Sequence, residues 1–193
     1  MRSVYIQQNS SMRQSMMLIM PCVAGLFVLA EPIIRYLFEY GAWTPESTHA
    51  VAIAIMIQVF VLPAMLISQI FSKTLYASQD VKTPVKTSVT SLAVASVIYV
   101  ALFPVMGYLA IPIGVVISGY VKNYLLWHAC HRRNLTRVDT RTVRAMVVFG
   151  GLSAALGVAL WFVPINGIIS LALAIAGYGI IYLPTAYLIN KKI

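Results

Sequence analysis

The sequence predicts an all-α, polytopic membrane protein with six transmembrane helices and both termini in the cytoplasm. Three observations carry that prediction. Six apolar stretches are each near the length a helix needs to cross a bilayer. Of the residues, 60% are hydrophobic and only 10% charged. Twelve of the fourteen Lys and Arg residues fall on one side of the stretches. A helix rises ~1.5 Å per residue, so roughly 20 residues cross a hydrocarbon core about 30 Å thick. Only helices and closed barrels satisfy their backbone hydrogen bonds in lipid, and the stretches lack the apolar and polar alternation of a barrel strand.

In chain order the stretches are Met16 to Phe38, His49 to Phe71, Thr87 to Phe103, Gly107 to Trp127, Ala145 to Val163 and Gly167 to Ile189. The opening MRSVYIQQNSSMRQ is too polar for a cleavable signal peptide, and the Met16 run is too long for a signal's apolar core, so the segment is expected to stay attached. Pro104 and Gly107, and then Pro164, Asn166 and Gly167, are turn residues that make the third and fourth stretches, and the fifth and sixth, tight hairpins. A mean hydropathy of +0.85 leaves no polar domain over. Cys22 and Cys130 lie in or at the end of apolar stretches, which reads as two buried thiols rather than a disulfide framework.

A net charge of +9 suggests nucleic acid in a soluble protein, but the placement of the charges excludes that partner here. Arg2 and Arg13 precede the first stretch, and Lys73, Lys82 and Lys86 lie between the second and third. Arg132, Arg133, Arg137, Arg141 and Arg144 lie between the fourth and fifth, and Lys191 and Lys192 end the chain. The alternate connections, EYGAWTPEST, PVM and PIN, contain no Lys or Arg. The positive-inside rule puts the basic face in the cytoplasm, with the bilayer as the first partner. Anionic headgroups add to the attraction of the Arg132 to Arg144 cluster by about 1 kcal/mol per basic residue near the surface.

Polar residues inside spans must find a partner or a hydrated cavity. Gln58 and Gln69 are eleven residues apart, about three turns, and Lys73 extends their face by one more. This stripe reads either as the wall of a hydrated substrate cavity, loosened by Pro63, or as interhelical hydrogen bonding worth about 0.6 kcal/mol on average. Glu31 and Arg35 have ion-pair spacing within one helix, with Pro32 bending the chain beside them. Lys122 is expected to snorkel to the interface. Small residues Gly150, Gly151, Ala154, Ala155 and Gly157 in the fifth stretch, and Gly177 and Gly179 in the sixth, read as close packing of the two helices or as a groove for an acyl chain. His128, Cys130 and His131 lack zinc-site spacing, so no metal is expected. No nucleophile and base pair, nucleotide loop or Walker motif is present, which excludes ATP-driven transport by this chain and leaves no cofactor to expect.

The run Pro21 to Thr44, PCVAGLFVLAEPIIRYLFEYGAWT, and the run Phe71 to Val89, FSKTLYASQDVKTPVKTSV, resemble the C-terminal half of the MurJ (MviN) family of lipid II flippases. The most specific element is YASQDVKTPVK, in which Asp80, Lys82, Thr83, Pro84 and Lys86 match the family's cytoplasmic loop. The resemblance implies helices nine to fourteen of a fourteen-helix, two-lobed transporter of the bacterial inner membrane. Residues 1–129 would be part of the C-terminal lobe. Residues 130–193 would be a basic loop and a two-helix hairpin lining a lipid-tail groove. It further implies an undecaprenyl-diphosphate-linked peptidoglycan precursor as substrate, moved by alternating access rather than by an enzyme reaction. The family's N-terminal lobe has no counterpart here, so a complementary N-terminal half is an expected partner and the chain alone is expected not to flip lipid. The alternatives are half of a flippase for another lipid-linked oligosaccharide, or a noncatalytic membrane subunit.

Overall fold

The computed structural model describes residues 2–41, 43–136, 138–161 and 168–192. Arg137 and the Pro164 to Gly167 turn lie outside the described residues, as do the side chains of Arg2, Lys191 and Lys192. The helices are α1 (Arg2–Phe38), α2 (Pro45–Gln58), α3 (Val61–Ala77), α4 (Lys82–Met106), α5 (Ala110–Arg132), α6 (Thr140–Trp161) and α7 (Ile168–Lys192), with a 3-10 turn at Gly107–Leu109. No strand occurs among the described residues. Five stretches are long and apolar enough to cross a membrane: Tyr5–Phe38, Pro45–Ala77, Lys82–Arg132, Thr140–Trp161 and Ser170–Tyr187. The third of them holds both α4 and α5.

Most helices outrun the apolar stretches because polar residues cap them. Thr44 accepts a hydrogen bond from the Ser47 amide at 3.3 Å, Pro45 occupies the first helical position and Glu46 the first turn, so α2 starts four residues before His49. Each is a favoured choice at a helix N-terminus. The second stretch is not one helix. It breaks at Val59 and Phe60, just before Pro63, whose ring cannot donate to the carbonyl of Val59 and is tolerated only in a first turn.

The chain divides into two compact units, residues 1–15 with 60–142, and residues 16–59 with 143–193. In the first unit α4 and α5 form an antiparallel hairpin, turned at Gly107 in the left-handed region with φ 55°. The Ser91 hydroxyl donates to the Ser118 carbonyl at 3.1 Å. Two glycines let α5 be approached closely. A Cβ at Gly114 would overlap the Tyr99 ring of α4, and one at Gly119 would come within 2.8 Å of Val61 on α3. The Tyr120 hydroxyl donates to the Phe60 carbonyl at 3.1 Å and the Cys130 thiol to the Phe71 carbonyl at 3.8 Å, so α3 and α5 run side by side in the same direction.

The opening segment, expected to lie ahead of the first helix, is its first turns. Tertiary contacts hold it there: Met12 is buried, Gln8 Nε2 donates to Thr74 Oγ1 at 3.2 Å, and the Tyr5 hydroxyl donates to the Asn134 carbonyl. Asn9 Oδ1 accepts from the Asp139 amide at 3.1 Å and from the Thr142 hydroxyl at 2.9 Å, which fastens the start of α6.

In the second unit Ala145 and Phe149 of α6 are fully buried against Tyr182 and Ala186 of α7, with Met17 and Met20 of α1 packed on the same cluster. Charge is gathered at the α1–α2 turn. Glu31 and Arg35 form the expected ion pair at 3.0 Å, Arg35 also reaches Glu39 at 3.8 Å, and His49 lies 4.0 Å from Glu31. Trp43 Nε1 donates to Thr48 Oγ1, which donates to Glu39 Oε2. Cys22 is exposed on α1, unlike the buried Cys130.

Candidate functional site

The first unit contains a cavity of about 470 Å³ walled by α3, α4 and α5. From α3 come Ser68, Gln69, Ser72 and Lys73, whose spacing of one, three and four residues places them on one side of that helix. From α5 come Ser118, Gly119 and Lys122, and from α4 Ser91. Met65, Val61 and Val115 supply apolar wall.

The predicted stripe is divided by the break at Phe60. Gln69 and Lys73 line the cavity; Gln58 ends α2 in the other unit and does not. Lys122, expected to snorkel, also lines it.

Beyond the cavity α3 and α5 end in the same way. The Asp80 amide donates to the Leu75 carbonyl at 3.0 Å and the Gln79 amide to Tyr76 at 2.9 Å, with Gln79 at φ 62°. At the end of α5 the Leu135 amide donates to Cys130 at 2.9 Å and the Asn134 amide to His131 at 3.0 Å, with Asn134 at φ 52°. Both are Schellman caps that satisfy the last carbonyls of a helix. Asp80 also starts α4, since its Oδ1 accepts from the Thr83 amide at 3.1 Å, and its Oδ2 pairs with Arg133 Nη1 at 2.8 Å. The Thr83 hydroxyl and amide, with Arg133, hold the Asp80 carboxyl below the usual carboxylate range against the opposing effect of burial.

The DVKTPVK segment is therefore the α3–α4 turn and the first turn of α4. Asp80 and Thr83 cap it and Pro84 is buried in that turn, while Lys82 and Lys86 are exposed. His128 and His131 stack on Tyr124 and Trp127, one helical turn before each.

The small residues expected between the last two helices are divided. Added Cβ atoms at Gly150 and Gly157 would touch Met20, and Ala24 and Val28, of α1, while Gly151, Gly177 and Gly179 have nothing within 4 Å and Ala154 is exposed. The contact between α6 and α7 joins Ala145 and Phe149 to Tyr182 and Ala186, with the Tyr178 hydroxyl donating to the Ser153 carbonyl at 3.2 Å.

The family described as Lipid II flippase MurJ matches residues 2–166. The chain belongs to the MurJ family of lipid II flippases. A Rhizobium meliloti relative described as "Probable lipid II flippase MurJ" is 32% identical over 157 residues, 79% of this chain and 29% of that protein. The Burkholderia cenocepacia "Lipid II flippase MurJ" is 24% identical over 155 residues, 80% of this chain and 30% of that protein. A solved structure, "Lipid II flippase MurJ, inward closed conformation", superposes with a TM-score of 0.74 over 94% of this chain and 40% of its own, at 16% identity, and so shares the fold. The chain thus spans about 30% of the length of the MurJ relatives it matches.

Proposed function

We propose that the chain is the C-terminal portion of a flippase that carries an undecaprenyl-diphosphate-linked peptidoglycan precursor across the bacterial inner membrane, and that it acts with a complementary N-terminal portion. The family match over residues 2–166 carries this reading. The polar cavity among α3, α4 and α5 supports it, because a hydrated wall inside a bilayer is costly unless something polar passes it. In this reading α1, α2 with α3, α4, α5, α6 and α7 are six spans, and both termini are cytoplasmic by the positive-inside rule. Gln58, Gln69 and Lys73 are candidates for the substrate path. Asp80, Lys82, Thr83, Pro84 and Lys86 form a cytoplasmic turn. Residues 1–129 belong to the C-terminal lobe, and α6 and α7 offer the open faces of Gly151, Ala154, Gly177 and Gly179 to a lipid tail. Transport follows alternating access, in which one lobe rocks against the other.

The test is complementation of a bacterium depleted of its own lipid II flippase. Coexpression of this chain with an N-terminal portion of a relative restores growth and precursor translocation, and neither half does so alone. Growth restored by this chain alone would overturn the split-function reading, and no restoration by the pair would overturn the flippase reading.

A further inference from the structure

In the second unit a pocket of about 270 Å³ lies between α1, α2 and α6, near the α1–α2 turn. Glu31 and Arg35 of α1 line it, with Met56 of α2 and Leu160 and Trp161 of α6 as apolar wall. Sequence spacing gives its depth. Arg13 and Arg35 are 22 residues apart on one helix, ~33 Å, which matches a hydrocarbon core of about 30 Å. Glu31 is the one charged residue between them, so the pocket stands where headgroups meet acyl chains. Next to it in sequence Leu37, Phe38 and Val158 are exposed, as is Trp161, so it opens toward lipid.

Charge at this level is not balanced. Arg35 Nη2 pairs with one Glu31 oxygen at 3.0 Å and Arg35 Nε lies 3.8 Å from Glu39, so one guanidinium serves two carboxylates. The second Glu31 oxygen has only the His49 imidazole near it among the described residues, 4.0 Å away and beyond hydrogen-bond distance. Glu46 adds a third carboxylate to the turn region, and no Lys or Arg follows Arg35 before Lys73. A second acceptor comes from the backbone. Pro32 has no N–H to give the Val28 carbonyl, and both residues line the pocket. Val28, Glu31 and Arg35, three and four residues apart, share one face of α1.

We infer that this pocket binds the headgroup of a zwitterionic phospholipid that carries a primary ammonium, such as phosphatidylethanolamine. The ammonium, all donors and no acceptor, takes the second Glu31 oxygen and the Val28 carbonyl, and the phosphate oxygens take the remaining donors of Arg35. Guanidinium and carboxylate are 3.0 Å apart, so they stand at one level, and a headgroup lying along the bilayer surface spans both. The sign of the charge selects the ligand. With His49 neutral, two carboxylates against one guanidinium repel an anionic headgroup and leave an acceptor for a cation. A choline headgroup brings the cation but no N–H to donate, so it forfeits the hydrogen bonds. The inference rests on the membrane reading, is independent of what the chain transports, and concerns a different place from the open faces of α6 and α7.

The experiment uses the full chain in nanodiscs of phosphatidylcholine that contain a few per cent of phosphatidylethanolamine. Dicyclohexylcarbodiimide, which enters lipid, condenses a carboxyl with a primary amine in contact with it. Amide yields at Glu31, Glu39 and Glu46 are quantified peptide by peptide, each divided by the yield that free ethanolamine gives in nanodiscs of phosphatidylcholine alone. The normalised yield at Glu31 exceeds those at Glu39 and Glu46 by about fivefold. Phosphatidylglycerol as the host lipid leaves that excess in place. Arg35→Gln, checked for helicity by circular dichroism, removes it. Equal normalised yields at the three glutamates overturn the proposal. So does an excess that phosphatidylglycerol abolishes, which assigns the pocket to an anionic headgroup, and so does an excess that persists in Arg35→Gln, which leaves the phosphate no role. Loss of the excess on coexpression of an N-terminal portion assigns the pocket to a partner helix and overturns it too. If Arg35→Gln loses its helicity, the two host-lipid arms on the unaltered chain decide.

Discussion

The two units treat charge in opposite ways. In the second unit Glu31, Arg35, Glu39 and His49 gather in a single turn region, and the cluster between α6 and α7 is largely apolar. In the first, Asp80 and Arg133 are paired at the turn, but Lys73 and Lys122 are left facing a cavity. Paired charge explains itself as structure, while the two lysines, one exposed and one half-buried, still meet solvent. Glycine differs in degree. Gly114 and Gly119 of the first unit leave no room for a Cβ, Gly150 and Gly157 of the second meet α1 at ordinary contact distance, and Gly151, Gly177 and Gly179 have open space.

Substitutions can break that comparison, and the largest effect belongs to Gly114. Gly114→Val drives a side chain into the Tyr99 ring and costs about 1–3 kcal/mol, read as a lowered unfolding midpoint in detergent. Gly179→Ala, with open space around it, leaves the midpoint within about 0.5 kcal/mol of the parent. Equal losses at both positions would erase the distinction between a packed and an open glycine.

Asp80 comes next, and its effect depends on pH. Its carboxyl titrates lower in the folded chain than in the unfolded one, so its stabilisation is fully present above the unfolded carboxylate range and is lost as pH falls through the folded value. Asp80→Asn lowers the midpoint at neutral pH and flattens that acid-side loss. A parallel pH profile in the variant would remove the ion pair with Arg133 from the account.

Smaller changes are expected in the second unit. Tyr182 is fully buried and its hydroxyl has no partner among the described residues, so Tyr182→Phe is neutral or stabilises by up to about 1 kcal/mol. A clear loss of stability would mean that the hydroxyl is satisfied after all. The smallest term is Glu31 with Arg35, both well exposed, whose coupling in a double-mutant cycle is about 0–1 kcal/mol and shrinks with added salt.

What could be read from the sequence follows from what each signal measures. Hydropathy reports the thickness of lipid a segment matches, so it located every long helix but trimmed their polar ends: Pro45 to Thr48, Lys82 to Lys86, His128 to Arg132 and Thr140 to Arg144 are all helical. The caps at Thr44 and Asp80 were visible as residue types and went unused. The Glu31 and Arg35 pair was legible because both partners lie on one helix. Lys122 was not, because its setting is made by α3, and a residue's cavity cannot be read from its own helix. The shared face of Gln58 and Gln69 was counted on an unbroken helix, whereas the chain breaks between them at Val59 and Phe60.

The contrast between Cys22 and Cys130 has a practical consequence. With Cys130 sealed against the Phe71 carbonyl and Cys22 exposed midway along a candidate span, a maleimide nitroxide apolar enough to enter lipid attaches to α1 alone in the unaltered polypeptide. Spectroscopists thereby obtain a native reporter on the second unit and need no cysteine-free background to observe its movements.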